Sequence, residues 1–333
     1  MAAMRDSCRG GLSALLLLVS LSQALGTPYR PAEPVIGVLS YPRHNASGSY
    51  IPSTYVQWLE QSGARVVAIP YDAPHDKLRD LFRQVNAVLF TGGPGKPLLA
   101  EAPYFQAATD LYQMVVESSR RGIVVPLWGT CLGLQTIACI AAGGKDVIGN
   151  FPVQAYAYPL SFTHEAQSSR LFGGLSPELR QDFGGNVTTN YHYYGVSPEI
   201  LAAAAPHLVP LATNVALNGK AFVSALEGRD GLPIYAVQFH PESVLYDEGE
   251  WKEGIMVPPR SPAAIETVRY LADFFVTQAR LNTQAFPSAL AESRALIVQK
   301  ATLKPVKVTS TVHLFAEGDY LLRPSSVPRV LKA

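Results

Sequence analysis

Cys131 sits in Trp128-Gly129-Thr130-Cys131-Leu132-Gly133, a Gly-x-Cys-x-Gly turn between an apolar run and a helix-forming run. Far downstream, a second apolar run from Pro233 to Phe239 ends in His240-Pro241-Glu242. Together these residue types can carry out acyl transfer. A thiol attacks a carbonyl, an imidazole holds and returns its proton, and a carboxylate orients the imidazole. A lone cysteine in apolar surroundings is usually a small buried hydrophobe. The glycines argue against that here. A packed core cysteine gains nothing from Gly129 and Gly133, whereas a strained strand-to-helix elbow approached by a substrate carbonyl gains from both. A helix N-terminus and a nearby histidine each favour the thiolate.

Such chemistry needs backbone N–H groups where the oxyanion develops. Leu132 follows the nucleophile, and Gly93 lies in Gly92-Gly93-Pro94-Gly95 after another apolar run, so each can offer an amide. That glycine cluster lacks the spacing of a dinucleotide loop and the Lys-Ser/Thr of a phosphate loop. No Cys/His set has metal-ligand spacing, so neither a metal nor another cofactor is expected. If the segment after Cys131 is helical, Cys139 lies roughly 12 Å along it. A disulfide needs Cα atoms within about 7 Å, so the two thiols are expected to stay free.

The elements that position these groups are legible as alternating apolar strands and amphipathic helices. Strands are expected at residues 35–40, 65–70 and 87–91 and in the run leading to Cys131, with shorter β segments such as 221–227. Helices are expected at 53–62 (with Ser53 as cap), 75–85, 107–120, 132–142 and 261–281. Residues 41–50 read as a polar loop, and 285–333 as strand and tail. The pattern predicts an α/β fold with a mostly parallel central sheet and helices on both faces. Ligands bind beyond the carboxyl ends of such strands, where Gly92 to Gly95, Gly129 to Gly133 and His240 to Glu242 all fall.

Residues 1–26 read as a secretory signal, with Arg5 and Arg9 before a short apolar run and small residues at Ala24 and Gly26. The remainder, 27–333, reads as a single catalytic domain with a C-terminal tail. Asn45 and Asn186 open glycosylation sequons. Of the 333 residues 16% are charged, below the roughly 25% of an average soluble chain. The net charge of +1 and the lack of a basic cluster argue against a nucleic-acid partner. No stretch after the leader is a credible membrane span, so the expected location is the secretory pathway, outside the cell or in a lysosome or vacuole.

The Gly-x-Cys-x-Gly and His-Pro-Glu motifs resemble the class I glutamine amidotransferase-like superfamily. Within it, Trp128 to Gly133, the segment 50–67 and Asn190-Tyr191-His192 resemble the gamma-glutamyl hydrolase family. The resemblance runs from about Pro34 into the tail. It implies Cys131 as nucleophile, His240 as base and His192 as a second active-site histidine near substrate, with Gln135 also on the substrate side. It further implies a folate poly-γ-glutamate substrate and a homodimer. Gln135, Phe239 and Ser243 depart from the usual hydrolase pattern toward that of the glutaminases. A glutaminase and a secreted binding homologue without activity therefore stay open as alternatives.

Overall fold

The computed structural model describes residues 31–43, 47–97, 102–246, 258–307 and 310–315. The leader and Asn45 lie outside the described residues. In chain order the first half comprises β1 (Val35–Leu39), β2 (Tyr41–Pro42), β3 (Ser49–Pro52), α1 (Ser53–Glu60), β4 (Arg65–Ile69), α2 (His75–Phe82), β5 (Ala87–Phe90), α3 (Ala102–Arg120), β6 (Leu127–Thr130) and α4 (Leu132–Ala141). Then follow β7 (Gly149–Tyr158), β8 (Ser161–Phe162), α5 (Pro177–Phe183), β9 (Thr188–Gly195), α6 (Pro198–Ala204), β10 (Leu208–Val215), β11 (Ala221–Gly228) and β12 (Ile234–Val237). The chain continues through α7 (Ser243–Tyr246), α8 (Pro262–Ala279), α9 (Ala289–Ala295), α10 (Ile297–Lys300), β13 (Thr302–Lys307) and β14 (Ser310–Phe315).

The central sheet has the order β4-β1-β5-β6-β12-β11-β10-β8. From β4 to β12 neighbouring strands run parallel, and β11, β10 and β8 continue the sheet antiparallel. The parallel strands are continuous apolar runs because both faces are covered. Along β1, Val35 and Leu39 pack on one side with α2, α3 and α4, while Ile36 and Val38 pack on the other with α1 and α8. Trp58, Trp128 and Phe275 form an aromatic cluster on that second side, with ring centroids 5.5 Å apart at both contacts. Trp58 Nε1 donates to Val268 O at 3.0 Å, which satisfies the indole inside the core.

The α/β expectation holds, with several local corrections. Ser53 does not cap α1; it is the first helical residue, and Pro52 is the cap. The strand before Cys131 is confined to Leu127–Thr130. Pro126 precedes it and has no N–H for a ladder. Residues 41–43 and 47–52 are not a plain loop: β2 and β3 join β14 and β13 in a four-stranded sheet. Residues 289–295 and 297–300 are helical, where strand and tail were expected. Ser288 caps α9 by accepting from Ala291 N at 3.1 Å, a start signal hidden among Pro, Val and Thr. Pro262 after Ser261 starts α8 as expected, with Ser261 Oγ accepting from Ala264 N.

Candidate active site

Strands β5, β6 and β12 are adjacent and parallel, so their carboxyl ends lie side by side. At a strand spacing of about 4.8 Å, residues leaving the outer two converge on the one between them. Those ends carry Gly92-Gly93, Cys131 and Gln238-Phe239-His240. Cys131 occupies the sharp turn between β6 and α4 with φ 52° and ψ −104°, a conformation uncommon for any residue with a side chain. Its own N–H is tied to Val237 O at 2.8 Å, which anchors the elbow to β12. Strain of this kind is held only where the surroundings over-determine it.

The flanking glycines have a different reason from the one expected. A Cβ on Gly129 would lie 2.7 Å from Gly133 C, and one on Gly133 would lie 2.3 Å from Phe90 O. They let α4 seat directly on β6 and β5. Close packing of helix on sheet, not the approach of a substrate carbonyl, is what excludes a side chain there.

His240 Nδ1 donates to Glu242 Oε1 at 2.8 Å, and both side chains are buried. Burial alone would push the imidazole pKa down. The Glu242 carboxylate, followed by the adjacent Cys131 sulfur with which it hydrogen-bonds, outweighs that and holds His240 well above its ordinary value. Such an imidazole is suited to stand as the cation beside a thiolate. Ser243, one of the departures from the hydrolase pattern, donates its hydroxyl to His240 O at 2.8 Å and tightens the turn. Phe239 is a core residue at 1% exposure.

The two residues expected to offer oxyanion amides, Gly93 and Leu132, are neighbours in space. A Cβ on Gly93 would fall 2.9 Å from Leu132 Cδ2. Leu132 opens α4, and first-turn amides have no intrahelical acceptor. The first bond back to the elbow is from Gln135 N to Cys131 O, at 3.1 Å.

Gln135, expected on the substrate side, is buried, and its Oε1 has no hydrogen-bond partner among the described residues. It is 2% exposed, and its Nε2 is spent on Tyr194 O at 2.8 Å and Gln238 Oε1 at 3.3 Å. It braces α4 against β9. Gln238, which sequence reasoning passed over, completes that chain by donating Nε2 to Cys131 Sγ at 3.5 Å. Its signal was position alone, two residues before His240 on the same strand end. Tyr55 on α1 was also missed; its hydroxyl accepts the Gly92 N–H at 2.7 Å.

His192 lies on β9, opposite Val153 of β7, with its ring edge-on to Phe222 at 4.9 Å. Burial, then the positive field of His240, lowers its pKa to about 3. The Phe151 and Tyr194 carbonyls oppose this weakly, and neither ring nitrogen closes a hydrogen bond of good geometry. His192 therefore stays neutral in the fold, while in the unfolded chain it titrates near 6.5. This stability contribution is complete above pH 6.5 and is lost as pH falls toward 3, because only the unfolded chain takes up the proton. In urea titrations, the wild-type midpoint is expected to fall across that window more steeply than that of His192→Phe. Equal slopes would mean that His192 is solvated in the native state.

Asn186 is exposed in the turn before β9. Cys131 and Cys139 are both free, and burial raises Cys139 to about 11, which leaves it unreactive. Among the described residues no cluster of three or more His, Cys, Asp or Glu could hold a metal ion. Nor is any described helix long and apolar enough to cross a membrane. A separate cavity of about 480 Å³ at the end of β4 contains a second histidine–acid pair, His75 Nδ1 to Asp110 Oδ2 at 2.8 Å. Its lining residues include no Ser, Thr, Cys or Lys.

The family described as glutamine amidotransferase class-I matches residues 47–251. Gamma-glutamyl hydrolase of Mus musculus is 33% identical over 299 residues, covering 86% of this chain and 90% of its own length. Gamma-glutamyl hydrolase of Homo sapiens is 33% identical over 310 residues, covering 89% and 94%. Gamma-glutamyl hydrolase B of Dictyostelium discoideum is 31% identical over 262 residues, covering 76% and 74%. The chain belongs to the gamma-glutamyl hydrolases, within the class I glutamine amidotransferase family.

Proposed function

We propose that this protein hydrolyses the γ-glutamyl bonds of folate poly-γ-glutamates through a thioester on Cys131. The observation that carries the reading is the buried Cys131–His240–Glu242 constellation at one strand edge, with the nucleophile in a strained elbow at a helix N-terminus. The Cys131 thiolate attacks the γ-carbonyl carbon, and the carbonyl π electrons move onto oxygen. The amides of Leu132 and Gly93 receive that oxyanion; a single donor of this kind is typically worth about 10²–10³ in rate. His240 then gives its proton to the departing amine as the C–N bond breaks, leaving the thioester. Water attacks the thioester, His240 takes its proton, and collapse of the second oxyanion releases the γ-carboxylate and restores the thiolate–imidazolium pair. Glu242 holds the ring throughout with Nε2 toward the sulfur. Neutral His192 offers one N–H and one lone pair to substrate nearby.

The same carbonyl chemistry would serve glutamine, so substrate decides the assignment. Incubation with pteroyl-poly-γ-glutamate is expected to release glutamate, while free glutamine yields little ammonia. The reverse pattern would make the protein a glutaminase, and inactivity on both would make it a binding homologue. One catalytic domain from Thr27, a homodimer and passage through the secretory pathway with glycans on Asn45 and Asn186 belong to the same reading. A mass drop on endoglycosidase treatment of secreted chain checks the last point.

A further inference from the structure

Tyr55 lies behind the catalytic constellation on α1, with 2% of its surface exposed. Its oxygen accepts the Gly92 N–H at 2.7 Å, which leaves the phenolic proton to find another acceptor. Burial, and then the charge of the nearby Glu242 carboxylate, raises the Tyr55 hydroxyl well above its ordinary pKa, with Cys131 adding more weakly. Oε1 of Glu242 already takes the His240 N–H, whereas Oε2 is buried without a hydrogen-bond partner of good geometry. A buried carboxylate oxygen left unpaired is costly, and the Tyr55 proton is still to be placed. Gly92 is wedged between the same groups. A Cβ there would lie 2.7 Å from His240 Cε1 and 2.8 Å from the Tyr55 hydroxyl.

We propose that Tyr55 is a positioning residue that ties the orienting acid to the oxyanion turn. Its oxygen holds the Gly92 amide, and its proton is given to Glu242 Oε2. One hydroxyl thereby sets the spacing between the His240–Glu242 pair and the Gly93 amide, the two parts that must act on opposite ends of the same carbonyl. The inference rests on the hydrolytic reading above. The competing role is plainer: a core tyrosine whose hydroxyl only satisfies a backbone N–H.

The test is Tyr55→Phe in the full chain, which keeps the ring and its packing. With a poly-γ-glutamyl substrate, kcat is expected to fall about 10- to 100-fold while KM changes by less than about twofold, since positioning acts in the transition state. The acidic limb of the kcat profile is expected to move to higher pH, because a donor to the charged carboxylate has been lost. The rate of Cys131 alkylation by iodoacetamide should show the same displacement without any turnover. Placing 3-fluorotyrosine at position 55, a stronger donor of nearly the same shape, should move both profiles to lower pH. Unchanged kcat with unmoved profiles in Tyr55→Phe would overturn the proposal. So would a kcat loss with an unmoved alkylation profile, which belongs to a packing residue. Should the wild-type chain release no glutamate while its alkylation profile responds to both variants, the hydrolytic reading fails and the positioning role stands.

Discussion

Cys131→Ala is expected to lower kcat on pteroyl-poly-γ-glutamate by about 10⁴-fold or more, to the level left by binding and oxyanion stabilisation alone. The variant removes the sulfur that Gln238 and His240 both address and leaves no substitute. Cys139 cannot take over, because it is buried one helix length away with its thiol pushed up to about 11. Folding should be little affected. The thiol is a small part of the core, and alanine tolerates the elbow's backbone about as poorly as cysteine does. The check is glutamate release beside thermal unfolding of the same preparations. Residual activity within tenfold of wild type, in a chain that melts normally, would place the nucleophile elsewhere.

Gly133→Ala is expected to cost about 3 kcal/mol of stability and most of the activity, a large effect for one methyl group. A Cβ there meets Phe90 O at 2.3 Å and Phe90 C at 3.0 Å. These are backbone atoms of a central strand and cannot swing away as a side-chain tip would. Relief requires α4 to lift from β5, which carries Leu132 away from Gly93 and turns Cys131 away from His240. Denaturant titration measures the first consequence, and iodoacetamide reactivity of Cys131 the second. Wild-type stability together with wild-type reactivity would show that the helix seats less tightly than the structure describes. Gly95 provides the internal comparison. It lies in the neighbouring turn with φ +82° and open space around its Cα, so Gly95→Ala meets backbone strain alone and should cost about 1 kcal/mol.

The two substitutions mark where sequence and tertiary structure divide the account. Cys131, His240 and Glu242 were legible because acyl transfer restricts residue type, and because Gly-x-Cys-x-Gly and His-Pro-Glu each end an apolar run. The parallel half of the sheet was legible for a related reason: strands buried on both faces must be continuous apolar runs, and Val35–Leu39 and Ala87–Phe90 are. The second, four-stranded sheet was not. Its pairing of β14 with β3 joins segments more than 250 residues apart, and nothing local in either announces the other. The helices α9 and α10 were missed because a single Ser288 cap carries little weight against a composition that favours strand.

Within the site, the sequence by itself determined which residues are proposed as nucleophile, base and acid and the turns that carry them, since each is a choice of residue. Only the tertiary structure decided what those residues lean on. Gln135 became a brace because its amide meets Tyr194 O, a backbone atom 59 positions away. Gln238 and Tyr55 became part of the site because a thiol and an amide happen to end within reach of them. His192 lost its charge because burial, against Phe222 among others, and the positive field of His240 disfavour it. Hydrogen bonding and desolvation act over a few ångströms of space, whatever the separation along the chain. The partners of a residue are therefore settled by strand order and burial, which no short stretch of sequence contains.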